Sequence, residues 1–272
     1  MSLFQMFARH CRVFGSHCAS DGFKKQCGFP DADSHITTKG SSGQWLKRPD
    51  VLAQALKGLG VALSLFFVSP AMPQSANGDI HVGRFSQGSL SSWSSRSFKG
   101  ETKYEFVKDP DLGSTVLAAT ADAGASGRYR KIKIDLTKTP FLNWSWKVTQ
   151  IFPDVDENVK SGDDFPARIY VVIERGLLGT RSLALNYVWA SRHRVGSEWP
   201  SPYTTQVLLM ATDSGTQGLG SWVRHKRNLR EDLKGAFRED ITEIDAVAIM
   251  TDADDHKGRA QTYYGDIWFS AE

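Results

Sequence analysis

Two short stretches near the middle of the chain decide the fold: residues 141–148 read FLNWSWKV, and residues 167–174 read ARIYVVIE. In the first stretch Trp144, Trp146 and Val148 occupy alternate positions, with polar residues between them. Successive side chains of a β-strand point to opposite sides, so this period of two indicates a strand with one buried face. The chain is therefore expected to build sheets around an apolar layer.

The same alternation continues on both sides of these stretches. In 167–174, Ile169 and Val171 share one face, while Arg168 and Tyr170 share the other. In 183–190, Tyr187 and its alternate neighbours oppose Asn186 in the same way. Gly, Pro, Asp and Ser separate further strand-like runs, which are expected at 98–107, 114–121, 129–136, 204–212, 243–251 and 262–270.

One segment has the spacing of a helix. After Asn228, a residue suited to cap a helix, Leu229, Leu233 and Phe237 recur at every fourth position. Many strands and one short helix exclude a doubly wound parallel sheet. The sequence therefore predicts an all-β fold, a two-sheet antiparallel sandwich of the jelly-roll type with one short helix.

An apolar run, GLGVALSLFFVSPA at 58–71, lies far from the first residue. Its apolar core, the ten residues 59–68, would cross only about half of a ~30 Å hydrocarbon layer, so a permanent membrane span is not expected. Basic residues, a short apolar stretch and then small residues are the order of a secretory signal, with cleavage after Ala71. We therefore expect a non-native or disordered leader at 1–50, a signal peptide at 51–71, and one domain at 72–272 in the periplasm or outside the cell. The leader would result from a start placed too early, or would be a long natural leader. A buried core helix is the alternative for the apolar run.

This division changes the reading of charge and cysteine. Residues 72–272 hold 25 Lys and Arg against 26 Asp and Glu, so no basic face argues for nucleic acid. All three cysteines, at 11, 18 and 27, precede the predicted cleavage point, and their spacings match no zinc pattern. The mature chain is expected to contain no cysteine and to need no disulfide.

Motifs of common enzymes are absent from the sequence, and three places carry chemistry instead. The first is SGDDFPARIYVV, where Asp163, Asp164 and Arg168 could clamp a polar ligand or form a structural ion pair. Asp266, expected inside a strand near the C-terminus, needs a cationic partner there, and Arg168 is the simplest choice.

The second place is the acidic run TDADDH, where Asp252, Asp254 and Asp255 crowd one stretch of chain. Calcium takes about six to eight oxygen ligands, and closely spaced carboxylates can supply them. The glycine and glutamate of a full EF-hand loop are missing, so a solvated turn is the alternative. The sequence therefore allows a calcium site on these three residues.

The third place is aromatic. Trp189, Trp199 and Tyr203 lie in or beside a loop rich in Gly, Ser and Pro, close in sequence to the polar Asn186. Indole and phenol rings beside polar groups hold sugar rings by stacking and hydrogen bonding. The alternative is that Trp199 and Tyr203 only close one end of the sandwich, and Trp144 and Trp146 are expected in the core.

A family resemblance supports the fold prediction. Blocks such as LNWSWKV, GDDFPARIYVV, SPYTTQVLLM, AVAIMTDADD and TYYGDIWF, in this order over about residues 80–270, resemble an uncharacterised family of secreted bacterial proteins, the domain of unknown function numbered three thousand and forty-seven. The resemblance implies a jelly roll similar to galactose-binding domains. It implies no activity, no cofactor and no catalytic residues.

Three functions are compatible with these features. The first is a non-catalytic binding protein for a glycan or another polar ligand, using Arg168, Asn186, Trp189, Trp199 and Tyr203. The second is a carbohydrate hydrolase or lyase with two facing carboxylates, chosen from Asp163, Asp164, Glu198 and Asp266. The third is an assembly protein of the cell envelope, whose aromatic face would meet a protein partner.

Overall fold

A computed structural model describes residues 78–176 and 181–272. The predicted leader, the predicted signal peptide and the three cysteines lie outside the described residues. Among those that are described, no helix is long and apolar enough to cross a membrane.

Two sheets of seven strands form the fold. Sheet A has the order β1-β14-β6-β13-β4-β3, with β11 also paired to β6. Its strands are β1 (Ile80–Gly83), β3 (Lys103–Asp109), β4 (Ser114–Asp122), β6 (Phe141–Val148), β11 (Val223–Asn228), β13 (Arg259–Tyr264) and β14 (Ile267–Ser270).

Sheet B has the order β2-β5-β12-β7-β8-β10-β9. Its strands are β2 (Ser94–Lys99), β5 (Ala125–Asp135), β7 (Arg168–Ile173), β8 (Leu183–Ala190), β9 (Glu198–Ser201), β10 (Thr204–Ser214) and β12 (Glu243–Asp252). The two sheets, with one α-helix among the residues that the structure describes, confirm the predicted β-sandwich.

The main core lies between the sheets and contains the side chains that the alternation assigned to it. Trp144 and Trp146 of β6 meet Ile169 and Val171 of β7 and Tyr187 of β8 in one buried cluster. These alternate positions are at most 1 % exposed. Because strand side chains alternate, the intervening residues of β7 and β8 must point away from this core, to the outer face of sheet B.

The helix α1 (Leu229–Phe237) begins where the sequence predicted. The side chain of Asn228 accepts a hydrogen bond from the backbone N–H of Glu231 at 3.3 Å, which satisfies one of the first helical donors. Leu229 and Leu233 are buried against the main core. The helix ends at Arg238, whose φ of 57° is left-handed.

Strand boundaries and direction differ from the prediction in three ways. The predicted strand 98–107 is interrupted at Gly100, where φ of 62° turns the chain from β2 into β3. The predicted strand 262–270 is interrupted at Gly265, where a Cβ would collide with the side chain of Ser145. The pair β8–β10 is parallel, because β9 carries the chain back before β10 begins, so the sandwich is antiparallel except at this pair.

Candidate ligand-binding face

The outer face of sheet B carries one continuous row of side chains across all seven strands. Backbone pairing places each member directly opposite the next, so neighbouring Cβ atoms are about 4.5–5.5 Å apart. We call this set the central row, and in order from β2 to β9 it consists of Ser94, Tyr129, Ala248, Tyr170, Asn186, Leu209 and Trp199.

The middle of the central row is buried although it faces away from the partner sheet. Tyr170 is 6 % exposed, Asn186 1 % and Ala248 0 %. Small and apolar side chains surround these residues in a second hydrophobic cluster, separate from the main core, to which Ala184, Ala246 and Met250 belong. At the β2 and β5 end, Phe98 and Tyr129 pack against this cluster and remain partly exposed. The row thus runs from a partly exposed end to an enclosed centre.

Asn186 is the polar residue at the centre of the row. Its side-chain oxygen is buried, and no hydrogen-bond donor reaches it in the described part of the chain. Buried side-chain acceptors normally have a partner, and leaving one without costs about 1–3 kcal/mol. The sequence marked Asn186 as a candidate, and the structure places it beside Tyr170 rather than beside the predicted indoles.

Arg168 lies in the next row of the same face and is held in an ion cluster. Its Nε donates to Asp252 Oδ1 at 2.8 Å, and its Nη2 donates to Asp252 Oδ2 at 2.9 Å and to Asp163 Oδ1 at 3.2 Å. Its Nη1 donates to the hydroxyl of Tyr170 at 3.1 Å, and its guanidinium lies over the ring of Phe165. Arg168 is 1 % exposed, so the structural ion pair considered from the sequence is present.

Asp164 is buried beside this cluster and has backbone partners. It accepts the N–H groups of Asp255 at 3.3 Å and of His256. Nearby, the hydroxyl of Tyr264 donates to the carbonyl of Met250 at 2.7 Å, and burial raises the pKa of Tyr264 above its ordinary range. The cluster therefore fixes the end of β12 against the start of β7.

The predicted metal ligands are rearranged in the structure. Asp252 and Asp254 are fully buried rather than part of a solvated turn. Their carboxylates converge with that of Asp164, with one oxygen from each lying within 4.8 Å of the others. Asp255 is not in this group and instead accepts from the hydroxyl of Tyr203 at 3.3 Å. Because Arg168 already donates to both oxygens of Asp252, a cation would have to share that carboxylate, and calcium here stays a prediction.

The expected pairing of Asp266 with Arg168 is wrong. Asp266 follows Gly265 in the break between β13 and β14 and accepts the N–H and hydroxyl of Ser86, at 2.8 and 2.7 Å. The expectation assumed that Asp266 lay inside a strand, where a carboxylate would need a cationic partner. At a break in sheet A, the central serine of a short 3-10 helix (Phe85–Gln87) satisfies this carboxylate.

The three predicted aromatic residues do not form one platform. Trp189 belongs to the main core, where its Nε1 donates to the carbonyl of Gly215 at 3.0 Å. Trp199 lies at the β9 end of the central row, but His193 stacks on it at 3.8 Å and covers one of its faces. Tyr203, beyond the end of β9, lies under the ammonium of Lys160 at 5.1 Å.

Two further clusters were not identified from the sequence. The buried Glu157 accepts backbone N–H groups from Ser191, Arg192 and His193 and holds the loop that covers Trp199. Asp213 accepts from the side chains of Trp146 and His225. Isolated residues of this kind give no sequence signal, because their partners meet only when the two sheets pack.

Solved structures with a similar arrangement include two modules from Clostridium thermocellum. One is a family 11 carbohydrate-binding module in complex with a β-1,3-1,4-mixed-linked tetrasaccharide (13 % identity, 72 % of this chain and 97 % of that chain, TM-score 0.40). The other is the family 30 carbohydrate-binding module of the cellulosomal cellulase Cel9D-Cel44B (13 % identity, 71 % of this chain and 98 % of that chain, TM-score 0.42). Scores at this level carry no argument about what this chain binds.

A third structure is the K1 cleaved adhesin domain of Lys-gingipain from Porphyromonas gingivalis (10 % identity, 71 % of this chain and 98 % of that chain, TM-score 0.37). The comparison with curated proteins finds no match. One family does match by sequence, over residues 91–268, which include every strand except β1 and the last two residues of β14. The chain therefore belongs to the family described as protein of unknown function, DUF3047.

Proposed function

We propose that this protein is a non-catalytic binding protein and that its ligand, a glycan or another hydroxyl-bearing molecule, lies along the central row of sheet B. The observation that carries the proposal is the side-chain oxygen of Asn186, buried without a donor in the described residues. A ligand hydroxyl that donates to this oxygen would remove a cost of about 1–3 kcal/mol. The row would then bind a polar ligand better than an apolar one.

The neighbours of Asn186 suit a sugar ring. Tyr170 lies directly opposite Asn186, and Tyr129 lies two strands beyond Tyr170. Between the two tyrosines stands Ala248, whose small side chain packs in the second hydrophobic cluster. Sugar rings pack on aromatic rings and hydrogen bond at their edges, which is the combination that this row offers.

Arg168 acts in this proposal as a positioning residue. Its Nη1 holds the hydroxyl of Tyr170, and its remaining donors are fixed by Asp252 and Asp163. A ring that is held before the ligand arrives loses less rotational freedom on binding, which favours affinity. In this proposal Asp163, Asp164 and Arg168 stabilise the ligand-binding face beside the central row and do not contact the ligand themselves.

Secretion to the periplasm or beyond is part of the same proposal. It is supported by the order of basic residues, the apolar core at 59–68 and the small residues before position 72. The absence of cysteine from residues 72–272 is compatible with an oxidising compartment.

The two other functions receive no specific support. The carboxylates considered for a hydrolase or lyase lie in three places: Asp163 and Asp164 in the Arg168 cluster, Glu198 on the edge strand β9, and Asp266 on Ser86. An assembly surface would require a large apolar patch. The described residues expose only two large hydrophobic side chains, Val159 and Val195.

The experiment is a glycan-array screen followed by calorimetric titration of any neutral oligosaccharide that binds. We expect Asn186→Leu to weaken binding about tenfold, because one hydrogen bond of about 1.4 kcal/mol is lost. Failure of every neutral glycan to bind, or equal affinity of Asn186→Leu and wild type, would contradict the proposal.

Asn143→Leu is the matched control. Asn143 is also a buried asparagine on an outer face, but its side-chain nitrogen donates to Phe141 O at 3.1 Å and to Ser270 Oγ at 2.9 Å, in sheet A. We expect this variant to keep the affinity of wild type. A loss of affinity equal to that of Asn186→Leu would show that the effect is general unfolding.

A further inference from the structure

A cavity lies at one edge of the sandwich, where β1 of sheet A approaches β5 of sheet B and the loop leading into β2. Its volume is about 480 Å³, within the range of about 300–1,000 Å³ that is typical of small-molecule sites. None of the residues of the central row lines it. The cavity is therefore independent of the proposed glycan-binding row.

The walls of this cavity carry an excess of positive charge. Arg84 and Arg130 both line it, and Asp79 is the only carboxylate among the lining residues. The Nη1 of Arg130 donates to the carbonyls of His81 and Val82, at 3.1 and 2.6 Å, which fixes the guanidinium against β1. Within the described residues neither arginine has a carboxylate partner, unlike Arg168 in the buried cluster.

The other lining groups are neutral and suited to hydroxyls. Ser89 and Ser91 hydrogen bond to each other at 3.1 Å at the rim. The indole of Trp93 forms part of the wall and packs on Phe85. His81 also lines the cavity, and its Nδ1 is buried with no hydrogen-bond partner in the described part of the chain. Like the side-chain oxygen of Asn186, this ring nitrogen is a buried polar atom without a hydrogen-bond partner in the described residues.

We propose that this cavity binds a sugar acid, with the carboxylate on Arg84 and Arg130 and the ring hydroxyls on the serines and His81. Guanidinium groups bind carboxylates and phosphates with parallel hydrogen bonds. The net charge of the cavity wall, about +1 from two arginines and one aspartate, balances a single carboxylate. A doubly charged phosphate ester would leave an excess of negative charge. The indole of Trp93 offers the apolar surface that a sugar ring prefers and that a bare anion does not need.

The test is a titration of the whole protein with D-glucuronate, with D-glucose as the neutral probe and inorganic phosphate as the bare anion, all at one ionic strength. The readout is the NMR chemical shift of the Trp93 indole N–H, which reports on this cavity. We expect glucuronate to move this signal in a saturable way, with affinity at least fivefold above that of glucose and of phosphate.

Two variants locate the effect. Arg84 is exposed, so Arg84→Gln is expected to fold normally and to weaken glucuronate binding at least fivefold. Arg194→Gln, an exposed arginine outside the cavity, is the matched control and is expected to leave binding unchanged. The inference is overturned if glucose or phosphate binds as well as glucuronate, or if Arg84→Gln behaves like Arg194→Gln. Neither result depends on the fate of Asn186.

Discussion

The outer faces of the two sheets treat their polar groups differently. On sheet A, Lys147 forms ion pairs with Asp109 and with Asp111, the latter at 3.0 Å. Trp222 donates to Asp109 at 3.0 Å, and the rings of Trp222 and Tyr263 lie over the ammonium of Lys147. On sheet B, Arg168 also has carboxylate partners. On the neighbouring strand, however, the side-chain oxygen of Asn186 has no hydrogen-bond donor in the described residues.

Under the proposed function, this difference separates polar groups that stabilise the fold from a polar group that binds a ligand. A buried polar atom without a hydrogen-bond partner costs about 1–3 kcal/mol, so each such atom calls for an explanation, of which a bound ligand is one. On sheet A the cluster around Lys147 is complete within the chain and is explained by stability alone. On sheet B, the side-chain oxygen of Asn186 and the indole Nε1 of Trp199 are both buried without a hydrogen-bond partner in the described residues.

The largest effect is expected when the cation of each face is removed. Arg168→Met leaves Asp252 and Asp163 buried without their guanidinium, and we expect a loss of about 3–5 kcal/mol in the free energy of unfolding. Lys147→Met should lower the free energy of unfolding by less, about 1–3 kcal/mol. Asp109 would still accept the hydrogen bond from the indole of Trp222, and the side chain of Asp111 is 61 % exposed. Urea denaturation measures both, and an equal or inverted order would break the comparison.

The next largest change in the free energy of unfolding is expected from replacing the two buried asparagines. Asn143→Leu removes the side-chain hydrogen bonds to Phe141 of the same strand and to Ser270 of β14, and is expected to lower the free energy of unfolding by about 1–3 kcal/mol. Asn186→Leu removes an unsatisfied acceptor and is expected to be neutral or stabilising. Thermal and urea unfolding of both variants check this, and a loss of stability in Asn186→Leu as large as in Asn143→Leu would contradict it.

Acid unfolding tests how much the ionised carboxylate of Asp109 stabilises sheet A. Burial opposes ionisation of Asp109, but hydrogen bonds from Lys147, Trp222 and Leu112 outweigh it and lower the pKa of Asp109 below 3.8. A lowered folded pKa means that the charged carboxylate stabilises the fold above about pH 4 and that this contribution is lost as the pH falls through the folded value.

We therefore expect Asp109→Asn to be less stable than wild type by about 1–2 kcal/mol at pH 5. The difference should shrink as the pH falls below about 3.8, which chemical denaturation at several pH values measures. A difference that grows on acidification would contradict the pKa direction.

The smallest effect is expected from calcium. Within the group of Asp164, Asp252 and Asp254, Asp252 already accepts hydrogen bonds from Arg168, and Asp164 accepts them from backbone N–H groups. Adding about 5 mM calcium should therefore change the free energy of unfolding by less than about 0.3 kcal/mol. A ligand at a concentration a hundred times its dissociation constant raises the free energy of unfolding by about 2.7 kcal/mol. A rise of that size on adding calcium would instead establish a strong calcium site.

The sequence was sufficient for the layers of the fold. Alternation assigned Ile169 and Tyr187 to the inner faces and Arg168 and Asn186 to the outer face, because a strand has a fixed period and one face must be apolar. It also placed the helix cap at Asn228. These features depend on neighbours within a few residues of one another.

The partners of the site residues were not predictable in the same way. Arg168 meets Asp252, which is 84 positions further along the chain, only because β12 and β7 are adjacent in sheet B. The central row likewise requires the order of all seven strands, including the parallel pair β8–β10. Proximity in sequence suggested that Trp189 and Trp199 share a surface, whereas strand alternation and the intervening loop place them on opposite faces of sheet B.

In the proposed function, the side-chain oxygen of Asn186 accepts a hydrogen bond from a ligand on the outer face of sheet B. A crystal structure of the protein with a bound neutral oligosaccharide tests this most directly. We predict a ligand hydroxyl within about 3.2 Å of the side-chain oxygen of Asn186, with a sugar ring beside Tyr170. An oligosaccharide bound on sheet A, or one bound on sheet B with Asn186 still lacking a donor, would contradict the account.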